Sequence, residues 1–302
     1  MVWWRLILVL GFWELALANP TPALQVVTTV NFVTDLVQQI GGPRIRVDGL
    51  MGPGVDPHLY KATAGDVRLL QRADAIFYLG LNLEGKMTDL FARLPRAVSL
   101  GQVIPPERLI QPAGGFEGRY LYDPHIWFDV QLWRLTLAPI VQTLSQLDPE
   151  GASGYRQRAQ AYDQQLQQLD RWILQEIGQI PVQRRLMITA HDAFAYFGRR
   201  YGLEVRGLQG LSTASEVGAR DVQKLAQLIA ERQIGAIFVE TSVSRRTLEA
   251  VVAAVRARGG KVQIGGELFS DAAGSPNTPE GTYLGMMRHN VKTLVNGLKG
   301  KP

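Results

Sequence analysis

A chain of 302 residues with 46% apolar and 20% charged content can build one large or two medium domains, and its composition is too balanced for disorder. The net charge of +5 is mild and no basic run exceeds the pairs Arg199-Arg200 and Arg245-Arg246, so nucleic acid is not an expected partner. The chain contains no cysteine, which excludes disulfides, thiolate metal ligands, cysteine nucleophiles and a lipid-modified N-terminal cysteine.

The first 18 residues read as a secretory signal. Arg5 supplies the early positive charge, residues 6–17 are mostly apolar, and Ala16-Leu17-Ala18 offers a cleavage site before Asn19. Glu14 interrupts the apolar stretch, and an uncleaved anchor is the competing reading, although the stretch is short for a span. With the signal removed, the expectation is a soluble chain in the periplasm.

Strand and helix patterns then alternate. Residues 24–30 form a β-branched run. Residues 32–40 repeat apolar side chains at helical spacing, and Gly41-Gly42-Pro43 ends the repeat. A strand is expected at 45–47, a loop at 51–61, a helix at 64–73 and a strand at 75–79. A helix at 83–94 and a strand at 97–100 follow. A Pro- and Gly-rich loop covers 101–122, and a helix is expected at 130–147. Asp148-Pro149-Glu150 is a helix-start signal, with a capping residue, then proline in the first turn, then an acid. The helix it opens meets no breaker between Gly154 and Gly178, and at about 30 residues would span about 45 Å. It is either a strut between two lobes or a long surface helix on one domain.

The second half repeats the alternation. Strands are expected at 186–189, around Val205, at 236–239 and at 262–264. Helices are expected at 193–201, 222–232, 248–258 and 283–298, with a loop at 265–280. Such alternation means parallel sheets covered by helices. The expected fold class is therefore α/β. Two lobes, 19–147 and 181–302, are joined by a linking helix at 148–180, with a cleft between them.

Three of the four histidines stand where parallel sheets bind ligands, beyond the carboxyl ends of strands or at the start of a helix. Asp56-Pro57-His58 and Asp123-Pro124-His125 repeat one tripeptide, in which proline fixes the backbone and the aspartate can orient the ring. His191 follows its strand at once, in Thr189-Ala190-His191-Asp192. Asp271, in the loop after the 262–264 strand, is weak evidence alone, because Ser-Asp is also a turn pair. Two candidates come from each lobe. Together His58, His125, His191 and Asp271 make a complete shell for a divalent metal, with zinc, manganese and iron all admitted. His289 lies within the last helical pattern and reads as an ordinary surface histidine.

Competing motifs fail. The run from Gly80 through Gly85-Lys86-Met87 approaches a phosphate-binding loop, but Met87 stands where a magnesium-coordinating hydroxyl is required. There is no dinucleotide fingerprint and no Gly-x-Ser-x-Gly elbow.

The motifs resemble those of the TroA-type solute-binding proteins of zinc and manganese ABC transporters. Gly54-Val55-Asp56-Pro57-His58 is similar to the first ligand loop of that family. Tyr122-Asp123-Pro124-His125-Ile126-Trp127 is similar to the second, and Thr189 to Phe197 resembles the third. Gly265-Gly266-Glu267-Leu268-Phe269-Ser270-Asp271 with Gly281-Thr282-Tyr283 resembles the fourth. The resemblance implies a rigid linking helix with little hinge motion, and His58, His125, His191 and Asp271 as metal ligands. It recasts 80–87 as a packing motif. The partners it implies are a divalent metal ion and a membrane permease, with the chain acting as a monomer and not as an enzyme. Residues 101–122 lack the histidines of zinc-favouring members, and His191 stands where manganese-favouring members often carry glutamate. Metal identity therefore stays open, with zinc slightly ahead. Two alternatives remain: a secreted zinc hydrolase using Glu240 or Glu216 as base, and an adhesin stabilised by metal.

Overall fold

The computed structural model describes residues 23–112, 121–214 and 217–299. The expected signal at 1–18, part of the 101–122 loop and Glu216 lie outside the described residues.

The N-terminal half alternates as expected. It runs through β1 (Leu24–Thr28), α1 (Asn31–Gly41), β2 (Ile45–Gly49), α2 (Ala64–Arg72), β3 (Ala75–Tyr78), α3 (Thr88–Phe91) and β4 (Ala97–Ser99). The four strands are parallel, in the order β2-β1-β3-β4. Local chemistry sets the boundaries. α1 ends where Gly42 takes φ +60°, a left-handed conformation suited to glycine. α2 opens on a capping box: the Thr63 hydroxyl accepts the Asp66 N–H, and the Asp66 carboxylate accepts the Thr63 N–H.

Two expected helices differ from the observed ones. The helix expected at 83–94 shrinks to α3, because the chain before it is wound into turns with Leu81 at φ 53° and Asn82 at φ 68°. Those turns wrap the buried Glu84 carboxylate, which accepts the N–H groups of Leu79 and Gly80 and the Thr29 hydroxyl. The near-match to a phosphate loop is thus an internal packing turn closed by its own carboxylate. The helix expected at 130–147 is split into α4 (Val130–Trp133) and α5 (Leu137–Leu147) by a 3-10 turn at Arg134–Thr136. Pro139 explains the tightening, because it has no N–H for the Leu135 carbonyl and its ring crowds that turn.

The long helix is α6 (Ala152–Gly178), 27 residues, preceded by a 3-10 turn at Pro149–Gly151 that Asp148 caps. Its buried side chains Tyr155, Ala159, Tyr162, Leu166, Leu169, Ile173 and Ile177 follow 3/4 spacing. α1, α4 and α5 pack against it from the N-terminal half, as do two C-terminal helices described next.

The C-terminal half runs through β5 (Leu186–His191), α7 (Ala195–Tyr201), β6 (Glu204–Gln209), α8 (Ala219–Glu231), β7 (Ala236–Glu240), α9 (Arg246–Ala257), β8 (Gln263–Leu268) and α10 (Tyr283–Lys299). β5 pairs with β6 and β7 with β8, both parallel, and β5 lies beside β7. The expected loop at 265–280 begins later, because Gly265 and Gly266 lie within β8. The β7–β8 register shifts there, so the glycine pair marks a bulge rather than a strand end.

One apolar core runs from the N-terminal sheet through α6 to α7 and α10. A second, smaller core lies beneath α8 and α9. Because the first core crosses between the halves, moving them apart would expose buried apolar surface, which opposes a free hinge. Asp170 of α6 reinforces the junction. Its carboxylate accepts from Gln131 at 2.7 Å, from Arg200 at 2.5 Å and from the Tyr201 hydroxyl at 3.0 Å. Burial would raise its pKa, but these partners hold it below the usual value. Asp170→Ala strands the partly exposed Arg200 and should cost about 3 kcal/mol. A thermal melt should show this as a fall of about 6–10 °C. Because the folded pKa of Asp170 is depressed, its contribution is present above pH 3.8 and lost as pH falls below that value. A melt unchanged by the substitution would remove Asp170 from the junction.

Candidate metal centre

All four candidate residues sit at the carboxyl-end edge of the strands or in the segments beside it. His58 lies in the loop that joins β2 to α2. His125 follows Pro124 and opens a 3-10 turn at Ile126–Phe128. His191 is the last residue of β5, and Asp271 follows β8 by three residues. The bulge in β8 therefore brings Asp271 close to the sheet edge rather than leaving it far out in a loop.

The four converge. One donor atom from each of His58, His125, His191 and Asp271 lies within 4.8 Å of all the others, and all four residues are buried. Asp271 is the hub. Its Oδ2 is 3.6 Å from His58 Nε2 and 3.3 Å from His191 Nε2, and its Oδ1 is 3.5 Å from His125 Nε2. The ring centroids stand 5.3–5.9 Å apart.

Among the described residues, the Nε2 atoms of His125 and His191 and both Asp271 oxygens are buried without a hydrogen-bond partner. Four orphaned polar atoms around one point would be costly unless something satisfies them. Three imidazole nitrogens and a carboxylate form a donor set that suits a divalent transition metal. His289 stands apart, with Nε2 at 3.0 Å from the Glu267 carbonyl.

The far ring nitrogens of His125 and His191 lie against carboxylates. His125 Nδ1 lies 2.7 Å from Asp123 Oδ1, which also accepts the His125 N–H. His191 Nδ1 lies 2.6 Å from Glu240 Oε2, and Glu240 Oε1 accepts the His191 N–H. Such contacts fix ring orientation and turn Nε2 toward the point where the four residues meet. The repeated aspartates are not equivalent. Asp123 reaches its histidine ring, whereas Asp56 accepts the His58 N–H and the Thr213 hydroxyl. Glu240 is thus committed to His191 on the side away from Asp271, which leaves it unsuited to act as base on a bound water. Sequence alone offered no orienting role for Glu240, although its place at the end of β7, beside β5, is the signal that could have suggested one.

Electrostatics separate the four residues. Burial, partly opposed by Asp271, pulls the His58 pKa down to about 3, so this ring is neutral. Burial would lower the pKa of His191 too, but the Glu240 and Asp271 carboxylates outweigh it and hold it well above the ordinary value. Asp271 would be raised by burial. The rings, His191 foremost, reverse this and hold the carboxyl well below the usual range.

Comparison with known proteins points to metal-binding proteins as well. The family model described as the zinc-uptake complex component A, periplasmic (ZnuA), matches residues 26–297. The chain belongs to the ZnuA/TroA family of metal-binding solute-binding proteins of ABC transporters. It is 48% identical to the manganese-binding lipoprotein MntA of Bacillus subtilis over 279 residues, 91% of this chain and 90% of that one. It is 49% identical to the zinc-binding protein TroA of Treponema pallidum over 277 residues, 90% of this chain and 88% of that one. The solved structure of the periplasmic zinc-binding protein TroA from Treponema pallidum superposes with a TM-score of 0.89 at 47% identity, covering 93% of this chain and all of that one. The Fe(III)-bound YtgA of Chlamydia trachomatis superposes with a TM-score of 0.83 at 25% identity, covering 92% and 99%. The family is extracytoplasmic and non-enzymatic, so the hydrolase alternative falls. The expected α/β class, with parallel sheets and a long helix, holds. No helix among the described residues is long and apolar enough to cross a membrane.

Proposed function

We propose that His58, His125, His191 and Asp271 bind one divalent transition metal ion and that the chain hands this ion to the permease of an ABC transporter. The observation that carries the reading is the convergence of buried donor atoms from all four residues within 4.8 Å. Residues 19–147 and 181–302 act as the two lobes, with 148–180 linking them and the ion held between. A shared core keeps the two lobes rigid relative to one another, and the chain acts as a monomer. Residues 1–18 direct export to the periplasm, in keeping with the absence of a cysteine that could carry a lipid.

Zinc is the favoured ion. Three nitrogens and one carboxylate oxygen fill a tetrahedral zinc shell, and zinc outranks manganese at any given nitrogen and oxygen site. Both Asp271 oxygens face the site, so bidentate contact also suits manganese or iron. Of the relatives, MntA is named for manganese and TroA for zinc, and the YtgA structure is described as Fe(III)-bound. Titration calorimetry on chelator-treated protein tests the reading. One ion should bind per chain, zinc more tightly than manganese, and failure of both to bind at this ratio would overturn it.

The same titration should release a proton. The Glu240 and Asp271 carboxylates favour a proton on His191 before metal arrives, while burial disfavours one on His58. The metal must displace the His191 proton, so affinity falls as pH drops. Binding enthalpies measured at pH 7 in buffers of different ionisation enthalpy should differ by about one proton's worth. Buffer-independent enthalpy would contradict this.

A further inference from the structure

Among the described residues, the carboxylate at the hub of the site is approached only by the ring nitrogens it faces. Its position must come from the backbone that carries it, and that backbone belongs to the C-terminal half. Two side chains of the N-terminal half hold it on either side. Trp127 Nε1 donates to the Ser270 carbonyl at 3.1 Å, while the indole packs edge-on to the His125 ring with centroids 5.2 Å apart. On the other side, Asn31 Oδ1 accepts the Ala273 N–H at 2.7 Å, and Asn31 Nδ2 donates to the Ala273 carbonyl at 2.8 Å. Asn31 Nδ2 also reaches the Gly274 carbonyl at 3.4 Å.

Asn31 is the first residue of α1, where an asparagine commonly serves its own helix. The N-cap of that helix is Val30, which makes no side-chain cap. The Asn31 amide instead reaches 242 residues along the chain to close on both polar atoms of the Ala273 backbone. A primary amide matched to a peptide N–H and C=O fixes both translation and tilt of the segment.

We propose that Asn31 is a positioning residue that sets the reach of the Asp271 carboxylate into the site and so determines how well the site holds manganese relative to zinc. The inference rests on the four-ligand reading above. A hard, oxygen-seeking ion depends on the carboxylate more than zinc does, because zinc is well served by three imidazoles. Loosening the segment should therefore weaken manganese first.

The test uses the full chain, stripped of metal and titrated separately with zinc and manganese, together with a thermal melt of the metal-free protein. Asn31→Ala should raise the manganese Kd by about 10–100-fold. The zinc Kd should rise less, so that the manganese-to-zinc ratio of Kd values grows by about tenfold. Asn31→Asp keeps the acceptor for the Ala273 N–H and loses the donor. It should give a smaller shift in the same direction, and it serves as the readout if the alanine variant does not fold. Equal weakening of both metals, or no change in either, would overturn the inference, the first by reducing Asn31 to a purely structural contact. Asp271→Ala is the control. If it loses manganese while both Asn31 variants bind like the parent, the positioning role alone fails. If Asp271→Ala also binds like the parent, the ligand reading fails first and the inference falls with it.

Discussion

His125→Ala should abolish tight metal binding, with zinc affinity falling by more than about 100-fold. Removing an outer carboxylate that orients a ligand typically costs 10–100-fold. Removing the ligand itself goes further, because the variant loses a metal–nitrogen bond and also leaves Asp123, whose Oδ1 lies 2.7 Å from the ring, without its imidazole partner. Three donors would remain, and water would have to complete the shell in a pocket built to exclude it. Calorimetric titration of the parent and the variant reads the effect directly. A variant that binds zinc as tightly as the parent would show that His125 is not a ligand, whatever its place in the cluster.

The second large effect is on stability. In the metal-free chain four buried polar atoms of His125, His191 and Asp271 face one another, among the described residues, without hydrogen-bond partners. Metal binding to the folded state satisfies them, and the unfolded chain offers no such assembled site. At a free zinc concentration of about 1,000 times Kd the linkage amounts to about 4 kcal/mol. For a chain of this size that should raise the midpoint of thermal unfolding by about 8–16 °C. The shift should grow with zinc concentration and vanish in His125→Ala. A midpoint that ignores zinc would mean that the ion does not bind the native fold specifically.

The parts of the site legible in the sequence were those whose signal is local. Asp-Pro-His occurs twice, and each copy carries its proline and its acid within two residues. His191 follows directly on a strand of Leu, Met, Ile and Thr. Asp271 had little local signal. Its neighbours Gly265 and Gly266 read as the opening of a loop, when in the structure they form a bulge that carries β8 on to Leu268. The place of Asp271 after the 262–264 strand made it a weak candidate, which the resemblance to a family then strengthened.

What remained illegible depends on contacts between distant positions. The orienting role of Glu240 needs β7 beside β5, 49 residues away. The hold of Trp127 on Ser270 spans 143 residues and that of Asn31 on Ala273 spans 242. No periodicity or spacing encodes such pairs. The misjudged helices have a different origin. Apolar spacing over 83–94 is helical, but the left-handed Leu81 and Asn82 and the amide-hungry Glu84 favour a turn. Pro139 sits in a helical pattern and forces a tighter turn ahead of α5.

The most direct measurement is anomalous diffraction at the zinc edge from crystals of the zinc-loaded chain. One peak is expected inside the cleft, about 2.0–2.2 Å from the Nε2 atoms of His58, His125 and His191 and from a carboxylate oxygen of Asp271. A single strong peak anywhere else, or one that any of these four side chains does not touch, would contradict the account.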